Sequence, residues 1–133
     1  RGKQVILMVP EIALTPQIME RFYSLFGDIV AVIHSELSLG QRSETWRSIA
    51  SGEAKIIIGT RSAVFAPVQD LGLIVVDEEG ERTYKSDSAP RYHAISVAKN
   101  AVRRTSVRCC WHRRHRLWKA ITMQNVVSIP YWK

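Results

Sequence analysis

The apolar and polar positions fall into short blocks that alternate between two periods. Leu73–Val76 is a run of four apolar residues, two of them valine, that passes straight into three acids, Asp77, Glu78 and Glu79. A continuous run of this length suits a strand buried on both faces, as in a parallel sheet covered by helices. Gln4–Val9 has the same character and is stopped by Pro10, which lacks the N–H a sheet needs. A helix follows. Thr15 offers an N-cap oxygen, Pro16 takes the first helical position, and Ile18, Phe22, Leu25 and Phe26 fall on one face before Gly27. Ile29–Ile33 reads as a second strand, closing at His34-Ser35. Ser38 caps a second helix, with Trp46, Ile49 and Ala50 at i, i+3 and i+4 and Ser51-Gly52 at its end. Ala54–Ile58 is a third strand, followed by Gly59–Ser62, and a short turn region, Ala63–Asp70, leads into the acidic strand.

Strands alternating with helices predict an α/β fold, a parallel sheet with flanking helices joined by right-handed crossovers. Ligands in such sheets sit beyond the carboxyl ends of the strands. Three polar loops converge there: Glu11–Gln17, Thr60–Ser62 and Asp77–Glu79, with His34-Ser35 ending a fourth strand. In nucleotide hydrolases an acid at this place holds Mg²⁺, and its neighbour orients the attacking water. A solvated acidic turn after a core strand is the other reading. Thr60, Arg61 and Ser62 suit phosphate, through hydroxyls and a guanidinium fork. They also suit a turn with a surface arginine. His34 fits a satisfied strand-end histidine better than a catalyst.

The 133 residues amount to one domain, 46% apolar and 23% charged, in keeping with a globular protein. No apolar run approaches the roughly 20 residues that span a bilayer, and no secretory signal opens the chain, so a cytoplasmic location without membrane partners is expected. The two cysteines, Cys109 and Cys110, are adjacent and offer no zinc site. The net charge of +7 suggests nucleic acid, but its distribution qualifies that. Residues 1–102 carry 11 Lys/Arg against 12 Asp/Glu, whereas residues 103–133 carry 8 Lys/Arg and no acid. No Gly-x-x-x-x-Gly-Lys-Ser/Thr phosphate loop occurs. A nucleotide hydrolase with this sequence would have its phosphate loop upstream.

Five stretches together resemble the first motor domain of superfamily 2 DNA helicases, and in particular the replication-restart helicases of the primosomal protein N′ family. Leu7–Gln17 resembles motif Ia, Ile58–Pro67 motif Ib and Leu71–Glu79 motif II. Val32–Ser35, and Tyr84-Lys85 with Pro90–Ala94, resemble the flanking segments. The resemblance implies a partial RecA-like motor domain of the P-loop NTPase fold over residues 1–106. It implies ATP and Mg²⁺ as cofactors, with Asp77 coordinating Mg²⁺ and Glu78 activating the hydrolytic water. Single-stranded or forked DNA would contact Glu11, Thr15, Gln17, Thr60, Arg61 and Ser62. The aromatic and basic loop with Tyr84, Lys85, Arg91 and Tyr92 would couple DNA contact to hydrolysis, its rings stacking on bases; on the residues alone, a surface loop with two packed tyrosines is the other reading. Primosome and single-strand-binding proteins are the implied partners, and the zinc site of the family has no counterpart here. One departure stands out: the family pattern Asp-Glu-Glu-His has Gly80 in its fourth place.

After Thr105 the pattern breaks. Arg108–Lys119 has neither helical nor strand period and no acid, where the family has a strand followed by Ser-Ala-Thr, its motif III. A shifted frame restores it. Read from the third base of the Cys110 codon, a permitted choice of codons for residues 110–119 translates as Leu-Ala-Ser-Ala-Thr-Pro-Ser-Leu-Glu. Trp111 and Trp118 admit one codon each, and both fit. Residues 107–133 are therefore expected to be a frameshifted tail without the motif III strand, disordered or ordered only by packing of Trp111 and Trp118. The expected function is that of a fragment of an ATP-dependent DNA helicase of replication restart, inactive alone. The alternatives are a noncatalytic DNA-binding module that uses the basic tail, and a nonfunctional truncated remnant.

Overall fold

The structure, a computed structural model, describes residues 2–78, 81–104 and 107–111. Among them five strands, β1 (Gln4–Met8), β2 (Val30–Ile33), β3 (Ile56–Gly59), β4 (Leu71–Val76) and β5 (Arg108–Trp111), form one sheet in the order β2-β3-β1-β4-β5. Every pairing is parallel. Three helices, α1 (Pro16–Phe26), α2 (Leu39–Ser51) and α3 (Ala94–Arg104), make three of the four crossovers, and a 3₁₀ turn, Arg61–Phe65, lies in the fourth, from β3 to β4. The strand order dictates where they lie. From β1 to β2 the chain moves toward one edge of the sheet. From β2 to β3, β3 to β4 and β4 to β5 it moves toward the other. Right-handed crossovers in opposite directions fall on opposite faces. Accordingly Phe22 of α1 packs with Leu7, Val9 and Val75 on one face. Ile49 of α2 and Ile95 and Ala98 of α3 pack with Ile6, Met8 and Val76 on the other. Successive residues of β1 thus feed two cores, which is why its sequence is apolar throughout.

The helix starts follow their capping residues. Thr15 Oγ1 accepts from the Ile18 N–H at 3.4 Å, with Pro16 at the first helical position. Ser38 and Gln41 form a reciprocal capping box, at 3.2 and 3.0 Å. Gln4, at the foot of β1, is buried and fully bonded. Its Nε2 donates to the carbonyls of Ile49 at 2.9 Å and Ala54 at 2.8 Å, and its Oε1 accepts from the Gln69 and Asp70 N–H groups at 2.7 and 3.5 Å.

Three expectations need correction. Leu25 is 41% exposed. The buried stripe of α1 is centred on Phe22 and runs toward Met19 and Phe26, which leaves Leu25 at its rim. Ile29 is exposed in a 3₁₀ turn, Gly27–Ile29, ahead of β2. Arg108–Trp111 does form a strand, paired in register with Leu73–Val76. Its sequence lacks a strand period, but β4 presents a row of backbone donors and acceptors at the sheet edge, and α3 returns the chain to that edge. Glu79, Gly80 and residues 112–133, with the expectations placed on them, lie outside the described residues.

Candidate functional site

β1, β2, β3 and β4 end on one edge of the sheet, and their ends are tied together by backbone bonds. The Asp77 N–H donates to the Met8 carbonyl and the Val9 N–H to the Gly59 carbonyl, each at 2.9 Å. Gly59 is the point of closest approach. A Cβ there would stand 2.8 Å from the Ile33 carbonyl oxygen and 2.9 Å from the Ala63 Cβ. Only glycine lets the end of β2 and the 3₁₀ turn Arg61–Phe65 close over the tip of β3. That closure brings His34, Thr60 and Glu11 onto one wall.

Asp77 continues β4 and is fully buried, which removes the solvated acidic turn as an account of this residue. A carboxylate is not placed in the interior without cost unless something compensates it. Glu78, half-buried, has φ +54, the one left-handed non-glycine residue among those described. Its carbonyl accepts from the Glu81 N–H at 2.9 Å. The chain therefore turns sharply straight after Asp77, at a position where an L-residue is strained, as often happens at functional sites.

Tyr84 closes this corner from below. It is fully buried, and its hydroxyl reaches the Met8 carbonyl at 3.1 Å and donates in a very short bond to the Asp77 carbonyl. Burial, and then the charges of Asp77, Glu78 and Glu81, push its phenol far above the ordinary tyrosine range, so the group is a neutral donor. This overturns the expectation that Tyr84 stacks on bases: its ring belongs to the core. Among the described residues no three His, Cys, Asp or Glu are grouped to hold a metal. A single buried carboxylate followed by a second acid suits Mg²⁺, which is held by one or two carboxylates together with phosphates and water.

The other expected residues divide. Glu11, Thr60, Arg61 and Ser62 line one groove of about 330 Å³. Within it the Arg61 guanidinium donates to the carbonyls of Lys85 at 3.3 Å and Thr83 at 3.5 Å, so it braces the loop after β4 as well as facing the groove. Tyr92, half-buried, meets the exposed ring of Phe65 edge-on at 4.8 Å and also borders the groove. Thr15, Gln17, Lys85 and Arg91 do not line it. The Thr15 oxygen is committed to its helix cap, and Gln17, Lys85 and Arg91 are exposed elsewhere on the surface. Two groove residues, Arg42 and Trp46, were not expected there. The signal was in their i, i+4 spacing, but Trp46 reads from sequence as a core residue of α2.

The chain is similar to known proteins over most of its length. The DEAD/DEAH box helicase family model matches residues 1–110. Replication restart protein PriA of Bacillus subtilis is 51% identical over 98 residues, 74% of this chain and 12% of its own length. The protein of the same name from Synechocystis is 43% identical over 130 residues, 87% of this chain and 15% of its own. That from Treponema pallidum is 52% identical over 98 residues, 74% of this chain and 15% of its own. The chain thus spans about an eighth to a seventh of the length of the curated relatives it matches. Among solved structures, the C-terminal domain of Saccharomyces cerevisiae Dbp5, bound to Gle1 and IP6, superposes with a TM-score of 0.54 over 92% of this chain and 67% of that one. At 17% identity that likeness concerns the fold alone. No described helix is long and apolar enough to cross a membrane.

Proposed function

The chain belongs to the DEAD/DEAH box helicase family, and from that premise we propose that it is the middle of the first motor domain of a cytoplasmic replication-restart helicase. The parent would hydrolyse ATP, translocate on single-stranded DNA, open forks and meet primosome and single-strand-binding proteins. The observation that carries the reading is the tie between Asp77 and Met8, which seats the end of the motif II strand beside the end of the motif Ia strand. In a motor of this class one of these loops addresses nucleotide and the other DNA.

Asp77 would hold Mg²⁺, which when bound neutralises charge on the phosphates of ATP. Glu78, turned out of the strand direction by its left-handed φ, would accept a proton from the attacking water. Thr60 and Ser62 would donate to DNA phosphates at the groove, while Arg61 would carry their position to the loop after β4 through Thr83 and Lys85. These 133 residues alone should turn over no ATP, because they contain no phosphate loop. Residues 1–110, exchanged for the matching segment of the Bacillus subtilis relative, should support DNA-stimulated ATP hydrolysis. The same chimera with Asp77→Asn should not. A chimera that folds and binds DNA but hydrolyses ATP equally well with Asn at 77 would refute the assignment.

A change of reading frame is part of the proposal. The crossing is proposed at about Val107, and what supports it is the Ser-Ala-Thr that the neighbouring frame restores from the Cys110 codon onward, compatible with the single codons of Trp111 and Trp118. Sequencing the encoding DNA tests this. An uninterrupted reading without Ser-Ala-Thr in the neighbouring frame would end it, and the basic tail would then stand as a DNA-binding segment in its own right.

A further inference from the structure

The groove at the strand ends has a wall that no helicase motif supplies. Arg42 and Trp46 lie four residues apart on α2, so they project from one face of the helix, one turn apart. Arg42 is exposed and Trp46 half-buried, and both line the groove. Tyr92, in edge-on contact with Phe65, and Ser62 line the same groove. A groove of about 330 Å³ lies at the small end of ligand clefts, which run from roughly 300 to 1,000 Å³. It suits one nucleotide rather than a run of them. Its chemistry is equally restricted. The Arg42 guanidinium offers a fork to one phosphate, hydroxyls offer single donors, the aromatic surfaces accept any base without regard to sequence, and the Glu11 carboxylate on the same lining disfavours any further phosphate. The Arg61 guanidinium, partly spent on the Thr83 and Lys85 carbonyls, leaves Arg42 as the better-placed cation of the two.

We infer that Arg42 and Trp46 form, with Tyr92, a subsite for one nucleotide of single-stranded DNA, Arg42 on the phosphate and Trp46 against the base. The inference rests on the reading of this chain as a DNA-contacting motor segment and adds α2 to the contact surface. A strand held there passes over the tip of β2 as well as the tips of β1 and β3, so His34-Ser35 lies under its path.

The test uses the full chain and a fluorescein-labelled oligothymidylate at low salt. A second oligonucleotide, carrying 5-iododeoxyuridine, is crosslinked with light and the adducts are mapped by mass spectrometry. Trp46→Leu should weaken binding on the order of tenfold, since loss of a base–aromatic stack has that scale. Trp46→Phe should restore most of it. Arg42→Ala should weaken binding more than Arg47→Ala, which removes an equal, exposed charge from the same helix outside the groove. Crosslinks should map to Trp46 or Tyr92. Circular dichroism melts establish that each variant is folded. A wild-type chain that binds no oligonucleotide would remove the DNA reading itself. Tight binding with adducts confined to residues 112–133, unchanged in Trp46→Leu and Arg42→Ala, would overturn the subsite alone.

Discussion

The hydroxyl of Tyr84 donates to the backbone carbonyl of Asp77, seven residues earlier. One buried phenol thereby fixes the main chain of the acid that ends β4. The Met8 carbonyl, which also accepts from the Asp77 N–H, lies within reach of the same hydroxyl, so β1 and β4 share a single polar knot at their tips. Tyr84→Phe keeps the ring and deletes the knot. The Asp77 carbonyl would then be buried without that donor, at a cost of about 1–3 kcal/mol. A melting temperature lowered by roughly 4–8 °C per kcal/mol is the expected readout. Tyr84→Ala should cost about 3–5 kcal/mol through the cavity it leaves. A Tyr84→Phe variant that melts with the wild type would show that the bond contributes nothing.

The same residue predicts an alkaline limit. Its folded pKa lies far above the ordinary tyrosine value, because burial and three neighbouring carboxylates disfavour the phenolate. The fold therefore favours the protonated form. That stabilisation is complete below the unfolded pKa of about 10 and declines as pH rises beyond it, by up to about 1.4 kcal/mol per pH unit. Urea midpoints measured between pH 8 and pH 11 should fall more steeply for the wild type than for Tyr84→Phe. Tyr23, also raised by burial, is present in both and cancels in the comparison. Parallel pH profiles for the two proteins would be incompatible with a neutral buried phenol at this corner.

Much of the arrangement around this corner is legible in the sequence. Apolar runs ending at Pro10, His34 and Asp77 mark the buried strands, and Thr15, Ser38 and Gly52 mark the helix ends, because those signals are local and steric. The role of Tyr84 is only half legible. A tyrosine among Arg82, Lys85 and Arg91 reads equally as a base-stacking ring or as a packed one, and the return of the loop against β1 and β4 decides for the second. Arg108–Trp111 misleads in the opposite sense. Pairing at a sheet edge is a backbone matter, so a segment without a strand pattern can still complete the sheet. The groove residues of α2 are hidden for a third reason. Whether Trp46 faces core or groove depends on how far the 86–92 loop stands from the helix, and that is a tertiary distance.

Two glycines should respond in opposite directions to the same change. At Gly59 an added Cβ meets the Ile33 carbonyl at 2.8 Å and the Ala63 Cβ at 2.9 Å, with backbone on one side and a buried turn on the other. Gly59→Ala should destabilise by about 1–3 kcal/mol, as overpacking does. At Gly40, an exposed position in the first turns of α2, an added Cβ meets nothing within 4 Å. Gly40→Ala should stabilise by about 0.5–1 kcal/mol, through helix propensity and a less free unfolded chain. Paired thermal melts decide it, and two shifts of the same sign would contradict the geometry at one site or the other.

Glu78 carries backbone strain separable from its side-chain chemistry. With φ at +54, any residue with a Cβ is disfavoured there, by about 1–2 kcal/mol relative to glycine. Glu78→Ala and Glu78→Gly both delete the carboxylate, but only glycine relaxes the turn. The glycine variant should therefore be the more stable of the two by about 1 kcal/mol. Equal urea midpoints would mean that the turn after β4 is not held in the left-handed region in solution.

Gln4 supplies the last prediction, at the edge of the sheet opposite the site. Its amide is buried and makes four bonds, two as donor and two as acceptor, that join the end of α2, the entry to β3 and the entry to β4. A side-chain amide has two donor hydrogens and one acceptor oxygen with two lone pairs, so its capacity is filled. Gln4→Leu has similar volume but leaves the Ala54 carbonyl and the Gln69 N–H without this partner, while the Ile49 carbonyl keeps its bond from the Gly52 N–H. With each buried orphan costing about 1–3 kcal/mol and some relief by entering water, a total loss of about 2–4 kcal/mol is expected. Gln4→Glu keeps the acceptor toward Gln69 and Asp70 but turns a carboxylate oxygen toward two carbonyls, and protonation would replace one lost donor. Its deficit should therefore shrink at pH 4 relative to pH 7, after correction for the wild-type change over the same interval. Urea unfolding of the two variants at both pH values measures this, and a Gln4→Glu deficit that grows on acidification would contradict the bonding pattern assigned to this amide.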